Sequence, residues 1–288
     1  MLALPGAVAV VTGSSRGFGL AVARELGRRG ATVIVSSRRP EATAAAAAAL
    51  RREGLDAHGC PCDVGELAQV EALGAFARER GARLGVWVNN AGQGAPYGAV
   101  SEIDPGRFVD ATRTNVLGCY HGSLVALGQL LRQGGGALVN VVGRGEKGPV
   151  PFQAAYGASK AWIRNFTLAV AAEHRRRGVD VVAFMPGLMP TEMVLRPETT
   201  PAHAREMSVL ATVLRLWGAP PELAAQRLVQ RLERGRGRPY AAAHGPLWLL
   251  LGPLRALVGR SLVTGVTVEP RPIGGGHGGD RGEAGHGP

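Results

Sequence analysis

Short apolar runs alternate with longer amphipathic stretches through the first two thirds of the chain. The runs have the length and continuous apolar character of buried β-strands, and the longer stretches have the period of helices. The predicted strands cover residues 7–11, 32–35, 86–88, 137–142 and 179–184. The predicted helices cover residues 20–29, 41–52, 66–80, 107–131 and 155–177.

The regular order of strand and then helix predicts an α/β fold with a doubly wound parallel sheet, covered by helices on both faces. Strands that are apolar throughout agree with burial of both faces of the sheet. The length of 288 residues and the hydrophobic share of 45% suit a single large domain. We expect that domain to span residues 1–265.

The alternation of strand and helix ends after Pro186. Residues 188–220 are typical of a loop with short helices, residues 221–234 predict a helix, and residues 246–258 form the apolar run PLWLLLGPLRALV. That run is too short to span a bilayer, and Pro253 interrupts it. We expect a helix buried at a subunit contact or over the active site, with contact to a membrane surface as the alternative. The substrate lid and this segment together occupy about residues 188–260, and the Gly- and His-rich tail at 266–288 is predicted to be disordered.

The formal net charge of +11 raises the question of a nucleic-acid partner. The arginines are scattered, however, and several pairs fall near the ends of predicted helices, where cations suit the helix dipole. Aromatic residues that would stack on bases do not interleave with them. We therefore expect no nucleic-acid partner and no membrane span.

The cysteines are three, Cys60, Cys62 and Cys119, and they lack the spacing of a disulfide framework. An odd count and an N-terminus without a signal peptide predict a reducing, cytoplasmic location. A metal site would need more ligands near Cys60 and Cys62, so no metal is expected.

The stretch VTGSSRGFG, residues 11–19, lies between the first predicted strand and the first predicted helix. Gly13, Gly17 and Gly19 permit a tight turn and close approach of the backbone to a pyrophosphate, which the N-terminus of the helix then binds. This position after a strand makes a weak glycine motif much more specific.

The second predicted strand ends in Ser36, Ser37, Arg38 and Arg39, where a site for NAD would carry an acidic residue. A cation at this point favours a 2′-phosphate, and Arg16 in the first turn could face the same group. The alternative is that these arginines are ordinary surface charges.

Tyr156 and Lys160 are four residues apart, so they share one face of a helix. A nearby ammonium stabilises a phenolate, and we expect it to lower the pKa of Tyr156 enough for proton exchange near neutral pH.

These motifs in this order make the sequence resemble the short-chain dehydrogenase/reductase family over about residues 5–192. The residues that carry the resemblance are Thr12, Gly13, Gly17, Gly19, Asp63, Val64, Asn89, Asn90, Ala91, Gly92, Asn115, Tyr156, Lys160, Pro186, Gly187 and Thr191. The resemblance implies a Rossmann fold and an NADP(H) site formed by Gly13, Ser15, Arg16, Gly17, Phe18, Gly19, Arg38, Asp63, Val64, Asn89, Ala91, Gly92, Tyr156, Lys160, Pro186, Gly187 and Thr191.

In finer detail, the resemblance implies that Asp63 and Val64 hold the adenine and that residues 89–92 line the nicotinamide ribose. Lys160 would bind the ribose hydroxyls, and Thr191 would lie on the nicotinamide side. The catalytic residues implied are Tyr156, Lys160 and Asn115, with Asn115 anchoring a water relay. The family also implies a homodimer or homotetramer built on the fourth and fifth helices.

The sequence departs from the family at Gly143, thirteen residues before Tyr156, where a serine is usual. The loss of one such hydrogen-bond donor costs about 10²–10³ in rate. A water, the guanidinium of Arg144 or a hydroxyl of the substrate could replace the serine, or the site could be vestigial. The family's frequent Val-Asp-Gly-Gly ending is missing as well.

We therefore predict an NADP(H)-dependent oxidoreductase that reduces a carbonyl, or oxidises the alcohol, of a small and largely apolar substrate. Tyr156 would be its acid or base. One alternative is non-redox proton transfer on the same scaffold, by an isomerase, dehydratase or cyclase. Another is a nucleotide-sensing protein without turnover.

Overall fold

The computed structural model describes residues 2–235, 237–259 and 261–273. Its main strands are β1 Val8–Thr12, β2 Thr32–Ser36, β3 Ala57–Gly59, β4 Leu84–Asn89, β5 Gly136–Val141, β6 Val179–Met185 and β8 Tyr240–Ala242. Within the described residues these form one seven-stranded sheet in the order β3-β2-β1-β4-β5-β6-β8. All of its strand pairs are parallel. A separate pair consists of β7 Glu198–Thr199 and β9 Arg271–Pro272.

Helices cover both faces of the main sheet. They are α1 Gly17–Arg28, α2 Pro40–Arg52, α3 Leu67–Arg78, α4 Pro105–Thr112, α5 Gly118–Arg132, α6 Ala154–Glu173 and α10 Pro221–Glu233. The region between β6 and α10 adds the short helices α7 Glu192–Leu195, α8 Ala204–Met207 and α9 Val209–Trp217, and α11 Pro246–Leu257 follows β8.

The two faces of β1 show why its apolar run is continuous. Ala9 and Val11 pack with α1, α2 and α10 in one buried cluster, whereas Val8 and Val10 pack with α3, α5 and α6 in another. Successive side chains of a strand point to opposite faces, so each face needs its own apolar residues. The predicted doubly wound α/β fold in a single domain is confirmed.

The predicted helix at 107–131 is wrong in one respect. It is divided into α4 and α5 by a π-helical turn at Arg113–Leu117. Pro105 and the side chain of Asp104, which accepts a hydrogen bond from the backbone N–H of Gly106, fix the start of α4. A π-helical turn inside a helix is often found at a functional site, and this one contains Asn115.

The end of the described chain also differs from prediction. Residues 266–288 were expected to be disordered, yet Arg271–Pro272 is extended and pairs with β7. The backbone N–H of Ile273 donates to the carbonyl of Thr199, which adds to this pairing. The rest of the predicted tail, residues 274–288, lies outside the described residues. Among the helices that are described, none has both the length and the apolar character needed to cross a bilayer.

Candidate active site

The loop between β1 and α1 has the geometry of an anion site. Gly13 and Gly17 have φ values of 63° and 57°, in the left-handed region that favours glycine. A Cβ at Gly13 would lie 2.7 Å from the Cα of Ala91, so the neighbouring loop leaves no room for a side chain. Within the described residues no side chain caps the N-terminus of α1. Its first N–H groups and the positive end of its dipole are therefore available to a phosphate.

Thr12 and Asn90 join this loop to the end of β4. The hydroxyl of Thr12 accepts hydrogen bonds from the backbone N–H groups of Asn90 and Ala91, both at 3.1 Å. In return, Asn90 Nδ2 donates to the carbonyl oxygens of Thr12 and Gly13, both at 3.0 Å. These bonds hold Ala91 beside the glycine loop, where the sequence predicted it.

Three arginines surround the end of β2. Arg38 and Arg39 follow the strand and are exposed, and Arg39 precedes α2. Burial, and next the nearby charge of Arg39, lower the pKa of Arg16. Arg16 also forms an ion pair with Glu192 of the lid. Arg39 thus lies near Arg16, and Glu192 of the lid is a carboxylate that competes with a phosphate for Arg16.

The predicted adenine residues lie at the end of the segment after β3. The Asp63 carboxylate accepts a hydrogen bond from the backbone N–H of Gly65 at 2.9 Å, which shapes the turn. The Val64 side chain packs against the start of α5, where a Cβ at Gly118 would lie 2.4 Å from it. Both residues therefore occupy fixed positions at this edge of the sheet.

Two residues predicted to bind the cofactor have side chains that point elsewhere. Phe18, the second residue of α1, is buried against the sheet and stacks on Phe184, with ring centroids 6.1 Å apart. Asn89 is buried in a polar network, in which its amide donates to Asn140 at 2.9 Å and its carbonyl oxygen accepts from Trp87 at 2.8 Å. These two side chains pack in the core, so binding of the cofactor by Phe18 and Asn89 would fall to their backbone and stays a prediction. Both point inward because they face the packed side of their elements.

Asn115 lies in the π-helical turn and is fully buried. Its side-chain oxygen accepts from the backbone N–H of Gln93 at 2.7 Å, and its Nδ2 donates to the Gln93 carbonyl and to Ser159 Oγ, both at 3.0 Å. A Cβ at Gly92 would lie 3.5 Å from Asn115 Oδ1 and 3.7 Å from Lys160 Nζ. The loop after β4, the π-helical turn and α6 therefore meet at one point, as the motif order predicted.

Lys160 is buried next to Gly92, where these three segments meet. Its ammonium donates to the carbonyl of Val141, at the end of β5, with a distance of 3.1 Å. It also lies 5.6 Å from the ring centroid of Tyr156. Burial lowers the pKa of Lys160 to about 8.

The predicted lowering of the Tyr156 pKa is wrong for this structure. Burial raises the pKa of Tyr156 to about 12, because a phenolate loses more hydration than a phenol. The nearby ammonium of Lys160 does not reverse that effect. At neutral pH Tyr156 is therefore a protonated hydroxyl, which can donate a proton.

Gly143 leaves room that the Tyr156 hydroxyl takes up. A Cβ at Gly143 would lie 2.7 Å from Tyr156 Oη and 3.5 Å from two carbons of the Lys160 side chain. Gly143 itself does not have a positive φ. Its role is therefore steric rather than conformational. Arg144, the expected substitute for a serine, is exposed, and its charge acts on the pKa of Tyr97.

The loop between β5 and α6 crosses α6 at two glycines. Gly145 has a φ of 96°, and a Cβ there would lie 2.4 Å from the Cα of Gly157. Gly157 is the residue after Tyr156, so this close contact fixes the position of Tyr156 relative to the loop.

Glu146 anchors the same loop to the sheet. Its side chain is buried and accepts a hydrogen bond from the hydroxyl of Tyr240, on β8, at 2.7 Å. Its other oxygen lies 3.5 Å from the guanidinium of Arg164, on α6. Burial and this carboxylate raise the pKa of Tyr240 above its usual range. Sequence patterns did not identify this anchor, because its three members are far apart in the chain.

An aromatic cluster lies beside the start of α6. The rings of Phe152 and His203 are 4.4 Å apart, and Tyr97 is 5.7 Å from Phe152 and 5.9 Å from His203. Phe152 has a φ of 62°, which is strained for a side-chain-bearing residue and is typical of functional sites. The three rings come from separate segments of the chain and form one cluster near the N-terminus of α6, and Phe152 lies four residues before Tyr156 in the sequence. Only the apolar lid was anticipated from the sequence.

The Pro186–Gly187 motif is packed against His244. A Cβ at Gly187 would lie 2.7 Å from the His244 ring, and the φ of Gly187 is 87°. His244 also stacks on Trp248 of α11, with ring centroids 3.9 Å apart. Thr191 lies on the opposite side of the motif, where its methyl group would be 3.5 Å from a Cβ at Gly17. The predicted residues 186, 187 and 191 therefore bridge the glycine loop and the C-terminal region.

Comparisons with known sequences agree with this geometry. Residues 7–201 match the sequence profile of the family described as short chain dehydrogenase. A protein from Streptomyces coelicolor named "Putative ketoacyl reductase" is 34% identical over 253 residues, which cover 87% of this chain and 92% of that protein. Chlorophyll(ide) b reductase NOL of Arabidopsis thaliana is 30% identical over 247 residues, 83% of this chain and 68% of that protein.

Solved structures give the same match. A gluconate 5-dehydrogenase from Burkholderia cenocepacia, in complex with NADP and tartrate, superposes with a TM-score of 0.67 at 26% identity. The match covers 77% of this chain and 86% of that one. A metagenomic short-chain oxidoreductase in complex with NADP gives a TM-score of 0.65 at 26% identity, over 80% of this chain and 91% of that one.

The glycine crossing predicts a large and local effect of substitution. Gly145→Ala combines a left-handed φ with a contact that must shift, so we expect a loss of about 2 kcal/mol or more in the free energy of unfolding. Gly148→Ala is the control, because a Cβ there would meet no described atom within 4 Å. Thermal melting of the two variants compares them. Equal melting temperatures would show that the loop does not cross α6 at this contact.

Proposed function

This chain belongs to the short-chain dehydrogenase family, and from that premise we propose that it is an NADP(H)-dependent reductase of a small, largely apolar carbonyl compound. The resemblance inferred from the motifs and the expectation of an oxidoreductase are confirmed. The observation that carries the proposal is that Lys160 has Asn115 and Gly92 on one side and Tyr156 and Gly143 on the other, at the carboxyl end of β5.

The residues fit NADP(H). The N-terminus of α1 suits the pyrophosphate, and Arg16, Arg38 and Arg39 suit the 2′-phosphate. Two solved relatives were determined with NADP. When bound, the reduced cofactor supplies the hydride that the carbonyl carbon accepts. The Arg16–Glu192 pair must open, or be shared, for Arg16 to bind the phosphate fully.

The proposed proton donor is Tyr156. Its raised pKa keeps the hydroxyl protonated at neutral pH, which suits reduction more than oxidation. Lys160 lies below it, fixed by the Val141 carbonyl, and is placed to bind a ribose hydroxyl. Asn115 holds the loop after β4 in position, because its side-chain oxygen accepts from the backbone N–H of Gln93 and its Nδ2 donates to the Gln93 carbonyl.

The substrate class is inferred from the walls of the site. Tyr97, Phe152 and His203 form a ring cluster next to the N-terminus of α6, the helix of Tyr156, and Met193 of the lid is exposed near Gly94. These surfaces favour a flat, apolar body next to the carbonyl. The ketoacyl reductase and chlorophyll(ide) b reductase relatives support reduction as the direction.

We further propose a homodimer or homotetramer in the cytoplasm. Apolar side chains are exposed along α4, the π-helical turn, α5 and α6, namely Phe108, Leu117, Tyr120, Leu124 and Trp162. A second copy of these helices is the partner that suits such a surface.

The first test concerns the choice of nucleotide. Because NADH lacks the 2′-phosphate, NADPH should bind at least about tenfold more tightly, or about 1.4 kcal/mol. Arg39→Gln and Arg38→Gln should each reduce that preference, whereas Arg52→Gln, an exposed arginine at the far end of α2, should not. Titration by fluorescence measures both affinities. Equal binding of the two nucleotides by the wild type would refute the assignment.

The second test concerns the proton. Tyr156→Phe keeps the ring but removes the hydroxyl, so turnover should fall by about 10²–10⁴ while NADPH affinity changes little. Tyr120→Phe, at an exposed tyrosine of α5, is the matched control. Initial rates of NADPH oxidation with a panel of ketones provide the measurement. Full activity of Tyr156→Phe would place the chemistry elsewhere.

The third test separates crowding from hydrogen bonding at Gly143. Gly143→Ala adds only the Cβ that would meet Tyr156 Oη, and Gly143→Ser adds a donor as well. If Tyr156 has taken over the vacated space, both variants should lose activity on the preferred ketone by about tenfold or more. Melting temperatures should fall modestly in both variants, because the added Cβ must displace Tyr156 Oη, while backbone strain should add nothing, since Gly143 has no positive φ. A serine variant that gains activity on that ketone would identify Gly143 as a simple loss.

A further inference from the structure

Helix α11 presents one continuous apolar face to solvent. Leu247, Leu250, Leu251, Leu254, Leu257 and Val258 are between 41% and 84% exposed. Their spacing of three and four residues places all six on one side of the helix. The described part of the chain does not cover this face, so burial at a subunit contact or over the active site stays a prediction beside its alternative, contact with a membrane surface.

The opposite side of α11 is the side that packs. Gly252 lies so close to α9 that a Cβ would be 2.6 Å from the Leu216 carbonyl and from the Trp217 ring. Trp248 donates its ring N–H to the Trp217 carbonyl at 3.0 Å and stacks on His244. The helix is thus fixed to the domain, and its leucines point away from it.

The chain segments that contain α9 and α11 carry charges of one sign only, all positive. Residues 207–221, which include α9, and residues 234–268, which include α11, contain no Asp or Glu. Arg255 lies over the Trp248 ring, 3.6 Å from its centroid, at the side of the apolar face, and Arg215 is exposed on α9. An apolar face on a chain segment that carries arginines and no acidic residue is complementary to anionic lipid headgroups above acyl chains.

We propose that α11 binds the surface of an anionic lipid bilayer, with its leucines inserted at the level of the headgroups and Arg255 and Arg215 facing the phosphates. A second copy of the chain is a weaker match, since six residues on one twelve-residue helix fall short of the roughly 20–30 residues that each partner gives to a stable interface. Through Trp248 and His244, α11 is adjacent to Gly187. If the chain reduces apolar carbonyl compounds as proposed, binding of α11 would bring the proposed active site close to substrates dissolved in the bilayer.

The test is sedimentation of the purified full chain with phosphatidylcholine vesicles that contain about 30% phosphatidylglycerol, against vesicles of phosphatidylcholine alone. The wild type should sediment with the anionic vesicles, and less so at high salt. Leu250→Asp should reduce the bound fraction by about tenfold. Val100→Asp, which adds the same charge at another exposed apolar residue, should bind as the wild type does.

Melting temperature and ketone reduction without vesicles should be the same in all three proteins, because Leu250 is 76% exposed. Leu254→Asp repeats the test at a second position of the face. No binding of the wild type to anionic vesicles would overturn the proposal. Equal binding of Leu250→Asp and the wild type would overturn it as well. If Leu250→Asp sediments with the vesicles as the wild type does but has a smaller oligomer mass on size exclusion, the face binds a second copy of the chain instead.

Discussion

The hydrogen bond from the buried ammonium of Lys160 to the carbonyl of Val141 ties α6 to the end of β5. A cation with so little contact with water is costly unless it is paired, and here its partners are a carbonyl oxygen and the face of a ring. Because Tyr156 is one turn earlier on the same helix, this bond also sets where the phenol lies. The loop that covers both residues is held in turn by the Gly145–Gly157 contact and by Glu146.

This arrangement accounts for the unusual glycine. With Gly143 on the loop, the Tyr156 hydroxyl occupies the space that a side chain at residue 143 would need. A serine at this position would have to share this space, so Tyr156 or the loop would have to shift to admit it. The hydroxyl that we propose as the proton donor is buried, which raises its pKa, and the substrate would have to supply or forgo the second hydrogen bond. That favours carbonyl reduction over chemistry that needs a phenolate.

Much of this could be predicted from the sequence. Continuous apolar strands, glycines at a strand-to-helix turn and the order of the motifs determine the sheet and the positions of Gly13, Asn115, Tyr156 and Lys160. The π-helical turn could not be predicted, because its apolar pattern resembles that of an α-helix. The inward direction of the Phe18 ring could not be predicted either, because a motif position does not say which way a side chain points.

Contacts between segments far apart in the chain could not be predicted from the sequence either. β8 has only three residues, Tyr240–Ala242, and its role depends on β6 beside it. The Tyr97, Phe152 and His203 cluster comes from three segments whose contact only the folded chain creates. The direction of the Tyr156 pKa shift depends on burial, which outweighs the charge that the sequence places nearby.

The central claim is that Tyr156 works as a buried, protonated donor. Ultraviolet titration of tyrosinate in the nucleotide-free wild type, with the Tyr156→Phe protein subtracted, measures its ionisation directly. The account predicts that Tyr156 contributes no tyrosinate signal up to about pH 10, the usual pKa of tyrosine. A Tyr156 signal with a midpoint at about pH 8 or below would contradict it, since the nearby ammonium would then outweigh burial.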